Sequence, residues 1–91
     1  MVKIPFWVIK GSFKNGRYFI YGKGLKELNL HDSFAWQLKE YGYRTKSGAI
    51  KGIESAKRFD LRVNSGVNIE YSVEKIDVDF SEEDARRFRL I

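Results

Sequence analysis

The stretch FKNGRYFIYGK, Phe13 to Lys23, decides how this chain is read. Asn15-Gly16 stands between two apolar and aromatic runs. Asn-Gly is the strongest short hairpin signal, because a type I′ turn needs positive φ at both central residues. A two-residue loop sets Lys14 opposite Arg17, Phe13 opposite Tyr18, Ser12 opposite Phe19 and Gly11 opposite Ile20. Lys10 then meets Tyr21, and Ile9 meets Gly22. Side chains alternate between the faces of a strand. One face carries Trp7, Ile9, Phe13, Tyr18 and Ile20 and reads as core. The other carries Phe6, Val8, Lys10, Lys14, Arg17, Phe19, Tyr21 and Lys23, so that cations and rings share one surface.

Downstream, DSFAWQLKEYG (residues 32–42) supports two readings. As a helix it has Asp32 as N-cap, Phe34, Leu38 and Tyr41 on one stripe, and Gly42 closing it. As a strand it has Phe34, Trp36 and Leu38 alternating with polar neighbours. SGAIKGIESAKRF (residues 47–59) is helical, with Ala49, Ile50, Ile53 and Ala56 on the buried side and Lys51, Glu54 and Arg58 on the exposed one. Gly52 within it costs about 1 kcal/mol relative to Ala, which close backbone packing would explain. VNIEYSVEKIDVDF (residues 67–80) resumes strand alternation after a turn at Asn64, Ser65 and Gly66, with Val67, Ile69, Tyr71 and Val73 on one face. Glu70 and Glu74 face the other way. In FSEEDARRFRLI, Ser81 is a good N-cap with Asp84 at N3, and Phe80 can staple onto Ala85. Acids fill the first turn, and Arg86, Arg87 and Arg89 suit the C-terminal end of the helix dipole.

Ninety-one residues allow one modest core, so residues 1–91 are expected to form a single domain. Hydrophobic residues at 43% and charged ones at 32% fit a globular chain rather than a disordered one. The absence of cysteine excludes disulfides, thiolate catalysis and cysteine-ligated metal centres, and is compatible with a reducing cytoplasm. Only six uncharged residues separate Lys3 from Lys10, too few for a signal-peptide core or a membrane span. The expectation is a cytoplasmic protein with no membrane contact. Net charge is +5 and unevenly spread: residues 1–62 hold 13 Lys/Arg against 5 Asp/Glu, residues 63–91 hold 4 against 7. A basic body suits an anionic partner, although charge separation can also serve solubility and internal pairing.

GYRTKSGAIKGIESAKR, Gly42 to Arg58, resembles the repeat signature of the YegP-like family of small uncharacterised proteins, through Tyr43, Lys46, Ser47, Ala49, Gly52, Ile53, Ser55 and Lys57. That resemblance implies β-β-β-α-β units joined into one sheet with exchanged C-terminal strands. One unit here would imply a homodimer, with a strand across Phe34–Leu38. A second resemblance, carried by FWVIKGSFKNG, a short helix, Gly42 and a Glu-rich end, is to the archaeal large-subunit ribosomal protein LX. The fold class expected is therefore α+β: a small antiparallel sheet in β-β-β-α-β order plus a short C-terminal helix, with residues 33–41 as third strand or helix.

Catalytic chemistry has little to build on. His31 is the single histidine, and its neighbour Asp32 is more economically a cap. A calcium loop starting at Asp77, with Asp79 and Ser81, would need Gly and Glu where Glu82 and Phe88 stand. Gly22-Lys23-Gly24 is too short to cradle a phosphate. The expectation is no enzyme, no metal, no cofactor and no small-molecule substrate. The basic and aromatic face is the candidate site, because single-stranded nucleic acid offers phosphates to cations and bases to rings. Phe19 and Tyr21 would be platforms, Lys10, Lys14, Arg17 and Lys23 would meet phosphates, and Arg44, Lys46, Lys51 and Arg58 would extend the patch. Alternatively, another element covers Phe19 and Tyr21. The function expected is a binding module for RNA or single-stranded DNA. The alternatives are a protein-interaction or structural homodimer with an exchanged strand, or a virus-encoded inhibitor, whose acidic DNA-mimic form the net positive charge opposes.

Overall fold

The structure, a computed structural model, describes residues 1–29, 34–63 and 66–91. β1 (Val2–Phe13) is the middle strand of a three-stranded antiparallel sheet, between β2 (Tyr18–Tyr21) and β3 (Ile69–Phe80). α1 (Phe34–Tyr41) and α2 (Lys46–Val63) lie between β2 and β3 in the chain, and α3 (Glu82–Arg87) follows β3. The fold is α+β with a short C-terminal helix, in the order β-β-α-α-β-α. β1 and β3 pair without interruption from Val2↔Phe80 to Phe13↔Ile69. Twelve residues at about 3.3 Å each span roughly 40 Å, which accounts for the long axis of the 47 × 24 × 16 Å molecule.

The hairpin forms where Asn15-Gly16 places it, but with a different loop. Phe13 N–H donates to Arg17 O at 2.8 Å and Gly16 N–H to Phe13 O at 3.1 Å, so Lys14, Asn15 and Gly16 make a three-residue loop. Gly16 sits at φ +89°, the left-handed residue of a G1 bulge, and the Asn15 side chain accepts from Arg17 N–H at 3.0 Å. Ser12 therefore faces Tyr18, Gly11 faces Phe19, Lys10 faces Ile20 and Ile9 faces Tyr21. That is one residue away from the type I′ register, and a one-residue slip turns every β2 side chain to the other face.

Both faces of the sheet are covered, each over half its length. Ile4, Phe6, Val8 and Ile20 pack with Leu38 of α1 and Ala85 of α3 on one face. Ile9, Phe19, Tyr21 and Tyr71 pack with Ile53 and Ala56 of α2 on the other. Burial changes face between Val8 and Ile9 in β1, and between Val73 and Ile76 in β3. The doublet Glu74-Lys75, exposed on both sides, marks the change.

The segment Phe34–Tyr41 is a helix, not the third strand of the β-β-β-α-β order. A strand would put Trp36 and Leu38 on one face. The helix instead buries Leu38 completely and leaves Trp36 56% exposed. It ends with Gly42 N–H bonded to Leu38 O at 2.7 Å. On the β2 side of β1, beyond the end of β2, a single residue pairs: Trp7 and Tyr43 exchange two backbone hydrogen bonds of 2.8 Å. The proposed cap Asp32, the lone His31 and the turn residues Asn64 and Ser65 lie outside the described residues. β3 pairs with β1 of the same chain, so it does not need an exchanged partner strand to be satisfied on that side. Ile50 and Val67, expected to be buried, are half exposed: Ile50 turns away from the Ala49–Ala56 stripe, and Val67 precedes the strand. At the C-terminal helix, Ser81 Oγ accepts from Asp84 N–H at 3.1 Å, and Phe80 and Ala85 share one cluster.

Gly52 lies where α2 packs close against Ile9 of the sheet and Tyr43. A Cβ there would stand 2.9 Å from Ile9 Cδ1 and press on the Tyr43 phenol ring. Ala in an open helix position stabilises by about 1 kcal/mol over Gly. Gly52→Ala is expected to do the reverse, lowering stability by about 1–3 kcal/mol through overpacking. Urea unfolding of the two proteins measures the sign.

Candidate functional site

The sequence-predicted surface divides on folding. Phe19 and Tyr21 lie under α2, and Tyr21 is only 9% exposed. Tyr21 is a core ring and Phe19 is partly buried against the same cluster, a consequence of the hairpin register. Phe19 lies across Gly11 and contacts Phe13, Tyr21 and Tyr71 at centroid distances of 5.6, 4.5 and 6.4 Å. Lys10 points to the opposite face, 4.7 Å over the Tyr18 ring and 3.9 Å from Glu74 Oε1. Arg44 is on that face as well, 5.3 Å over the Phe6 ring, with Nη2 donating to Leu90 O at 3.4 Å. Lys14 and Arg17 are exposed at the hairpin loop, and Lys23 is exposed in the 3-10 turn Lys23–Leu25. Lys46, Lys51 and Arg58 stay together on α2.

α2 extends four residues beyond the predicted Phe59, and this adds charge. Lys46, Lys51, Lys57, Arg58 and Arg62 are all exposed, against one exposed carboxylate on the helix, Glu54. At about 3.6 residues per turn, Lys51, Arg58 and Arg62 form the outward ridge opposite Ala49 and Ala56. Lys46 and Lys57 lie about a third of a turn from that ridge, on the flank beside the buried stripe. Phe59, 43% exposed, flanks the ridge on its other side, one turn before Arg62. Among the described residues none of the five cations is in an ion pair: the pairs are Lys10–Glu74, Lys39–Glu40, Lys75–Asp77, Arg86–Glu82 and Arg87–Asp84. Lys57 and Lys14 line two adjoining depressions that share Asn68, so the hairpin cations continue the surface of the helix.

Beneath the ridge lies a polar cluster that the sequence reading passed over. Asp60, 4% exposed, accepts from Tyr21 Oη at 3.3 Å through Oδ1 and from Tyr71 Oη through Oδ2. The signal was available: Asp60 continues the apolar stripe of Ala49, Ile53 and Ala56, where a carboxylate must find donors. A pocket of about 240 Å³ adjoins the cluster, lined by Lys57, Asp60, Leu61, Asn68 and Tyr71 among others. Burial, followed by the Asp60 charge and hydrogen bond, pushes the Tyr21 phenol up to about 12. Burial and then the bond to Asp60 raise Tyr71 as well, and burial raises Tyr43.

No family model, curated protein or solved structure matches the chain. Among the described residues no helix is long and apolar enough to cross a membrane.

The tyrosine shifts fix a direction for alkaline stability. An unfolded phenol loses its proton near pH 10, while folded Tyr21 keeps its proton to about pH 12. Between these values the unfolded chain binds fewer protons than the folded one, so stability falls as pH rises. Thermal melts should be level in this respect below about pH 10 and drop steadily above it. In Asp60→Asn the phenols should ionise earlier, read as tyrosinate absorbance, with roughly 1–3 kcal/mol of stability lost at neutral pH.

Proposed function

We propose that the protein is a non-enzymatic module that binds single-stranded nucleic acid, RNA or DNA, along its phosphate backbone through the outward face of α2. The observation that carries this reading is the set of five exposed cations on one helix, with Glu54 as the only exposed carboxylate among them. From Lys51 to Arg62 the ridge is about 16 Å long, enough to follow successive phosphates. Phosphate contacts of this kind supply most non-specific affinity and make it depend on salt. Phe59 offers one exposed ring between Arg58 and Arg62, where a base can stack. The acidic residues gather elsewhere, on β3 and α3, so an incoming polyanion is drawn to α2 and repelled from the far edge of the sheet.

This reading keeps Lys14, Arg17, Lys46, Lys51 and Arg58 from the sequence-predicted set and adds Lys57 and Arg62. It leaves out Lys10 and Arg44, which lie on the other face of the sheet, Lys23 in its 3-10 turn, the partly buried Phe19 and the buried Tyr21.

Fluorescence anisotropy with labelled oligonucleotides over a salt series tests it. Each single-strand phosphate contact contributes about 0.7 to the slope of log affinity against log salt, so five contacts give about 3.5. Replacing Lys51, Arg58 and Arg62 together by Ala should lower the slope by about 2 and weaken binding for all sequences alike. Lys10→Ala and Arg44→Ala should change little. Phe59→Ala should cost roughly 1–3 kcal/mol of binding if a base stacks there. A folded triple variant that binds like the wild type would overturn the proposal.

A further inference from the structure

The outer edge of β3 is an open backbone surface, and its hydrogen-bonding direction follows from the bonds already described. Trp7 N–H donates to Tyr43 O and Phe13 N–H to Arg17 O, so odd-numbered residues of β1 direct their backbone groups to the β2 side. Even-numbered ones direct theirs to β3, where they pair with even-numbered residues such as Ile76 and Val78. The N–H and C=O groups of Ile69, Tyr71, Val73, Lys75, Asp77 and Asp79 therefore point away from the sheet. No strand lies beyond them among the described residues.

Other edges of the sheet are covered by chain or blocked by proline; β3 carries charged side chains but neither of these. Beyond β2 the chain turns back, with Gly22 N–H bonded to Lys26 O and Leu28 N–H to Ile20 O, both at 2.8 Å. On the open part of β1, Tyr43 takes Trp7, and Pro5 has no N–H to offer on that side. β3 has no proline, and its pairing with β1 runs through twelve consecutive residues without a bulge. Such an edge is a template for strand addition.

We infer that this edge docks a second copy of the chain, strand against strand, about a two-fold axis at Ile76. Outward-facing residues must meet outward-facing residues, so in a symmetric antiparallel pair the axis passes where one residue faces its own copy. An axis at Glu74, Lys75 or Asp77 brings like charges directly opposite, which is unfavourable. An axis at Val73 avoids this but sets Lys75 opposite Tyr71 and Asp77 opposite Ile69, with no complementary pair. At Ile76 the pairing runs from Ser72 to Phe80. Lys75 of each copy meets Asp77 of the other, twice per dimer, and Ile76 meets Ile76. Lys75 and Asp77 side chains are 57% and 43% exposed and lie 4.0 Å apart in the single chain, so the dimer exchanges this loose contact for one across the axis. Ile76, Val78 and Phe80 are only half-buried, and the two apolar strips touch at the axis, Ile76 on Ile76, with Val78 opposite Glu74 and Phe80 opposite Ser72. The result is one six-stranded antiparallel sheet with both α2 helices on the same face.

The test uses the full chain without nucleic acid, so it stands apart from the proposed function. Light scattering at micromolar concentration should give twice the 10.7 kDa chain mass. Lys75→Asp should raise the dissociation constant about tenfold or more, because it converts two complementary cross-strand pairs into like-charge pairs. Asp77→Lys should do the same, and the double variant Lys75→Asp/Asp77→Lys should restore the dimer. Circular dichroism checks that each variant is folded, as substitution at exposed positions allows. A wild type that stays monomeric through the titration overturns the inference. So does a dimer that ignores the single swaps or is not restored by the double one.

Discussion

The uninterrupted pairing of β1 with β3 is the constraint on which the rest of this structure depends. A chain of this length has apolar surface for one modest core, yet here the core is divided between two faces of one long ribbon. α2 covers the half that holds Ile9, Phe19, Tyr21 and Tyr71. α1 and α3 cover the half that holds Ile4, Phe6 and Val8. Neither half is large enough to stand alone, and the two strands that run through both make them one unit. The change of face at Val8-Ile9 is therefore an organising feature of the fold, matched across the ladder by Glu74-Lys75.

The same arrangement sets the electrostatics. α2 is held to the sheet by small residues, Ala49 and Ala56, and by the close approach at Gly52. Asp60 adds a polar anchor toward the C-terminal end of the helix, taking hydrogen bonds from tyrosines on β2 and β3. A helix pinned in this way has one rotational setting, and in that setting Lys51, Arg58 and Arg62 face solvent. The buried carboxylate orients the exposed cations without touching them. On the opposite face, Lys39 lies between the Trp36 and Phe88 rings, at 3.7 and 4.2 Å from their centroids, and links α1 to the residues after α3. Cation–aromatic contact is thus used within the fold, and much of the aromatic content serves packing.

Local features of this chain were legible in the sequence. Ser81 caps α3, the helix over residues 47–59 forms, Gly52 marks a tight contact, and Asn15-Gly16 turns a hairpin. Each depends on a few neighbouring residues whose backbone preferences and hydrogen bonds act at short range. Asp60 was also within reach, since a carboxylate on an apolar helix stripe asks for donors, but nothing in the sequence named Tyr21 and Tyr71 as those donors.

By itself the sequence determined that the chain turns back at Asn15-Gly16, that residues 47–59 are helix and 69–80 strand, and that positive charge is concentrated in the first two-thirds. Only the tertiary structure decided the hairpin register, the helical state of Phe34–Tyr41 and the side on which each ring and cation lies. The reason is the same in all three cases. Alternation identifies a buried face only when one face is wet, and here β2 has Ile20 buried on one face and Tyr21 on the other. Both registers satisfy the pattern, so the packing of Phe19 and Tyr21 against α2 and Tyr71 selects between them. That selection moves the rings into the core and leaves the cations of α2 on the outside.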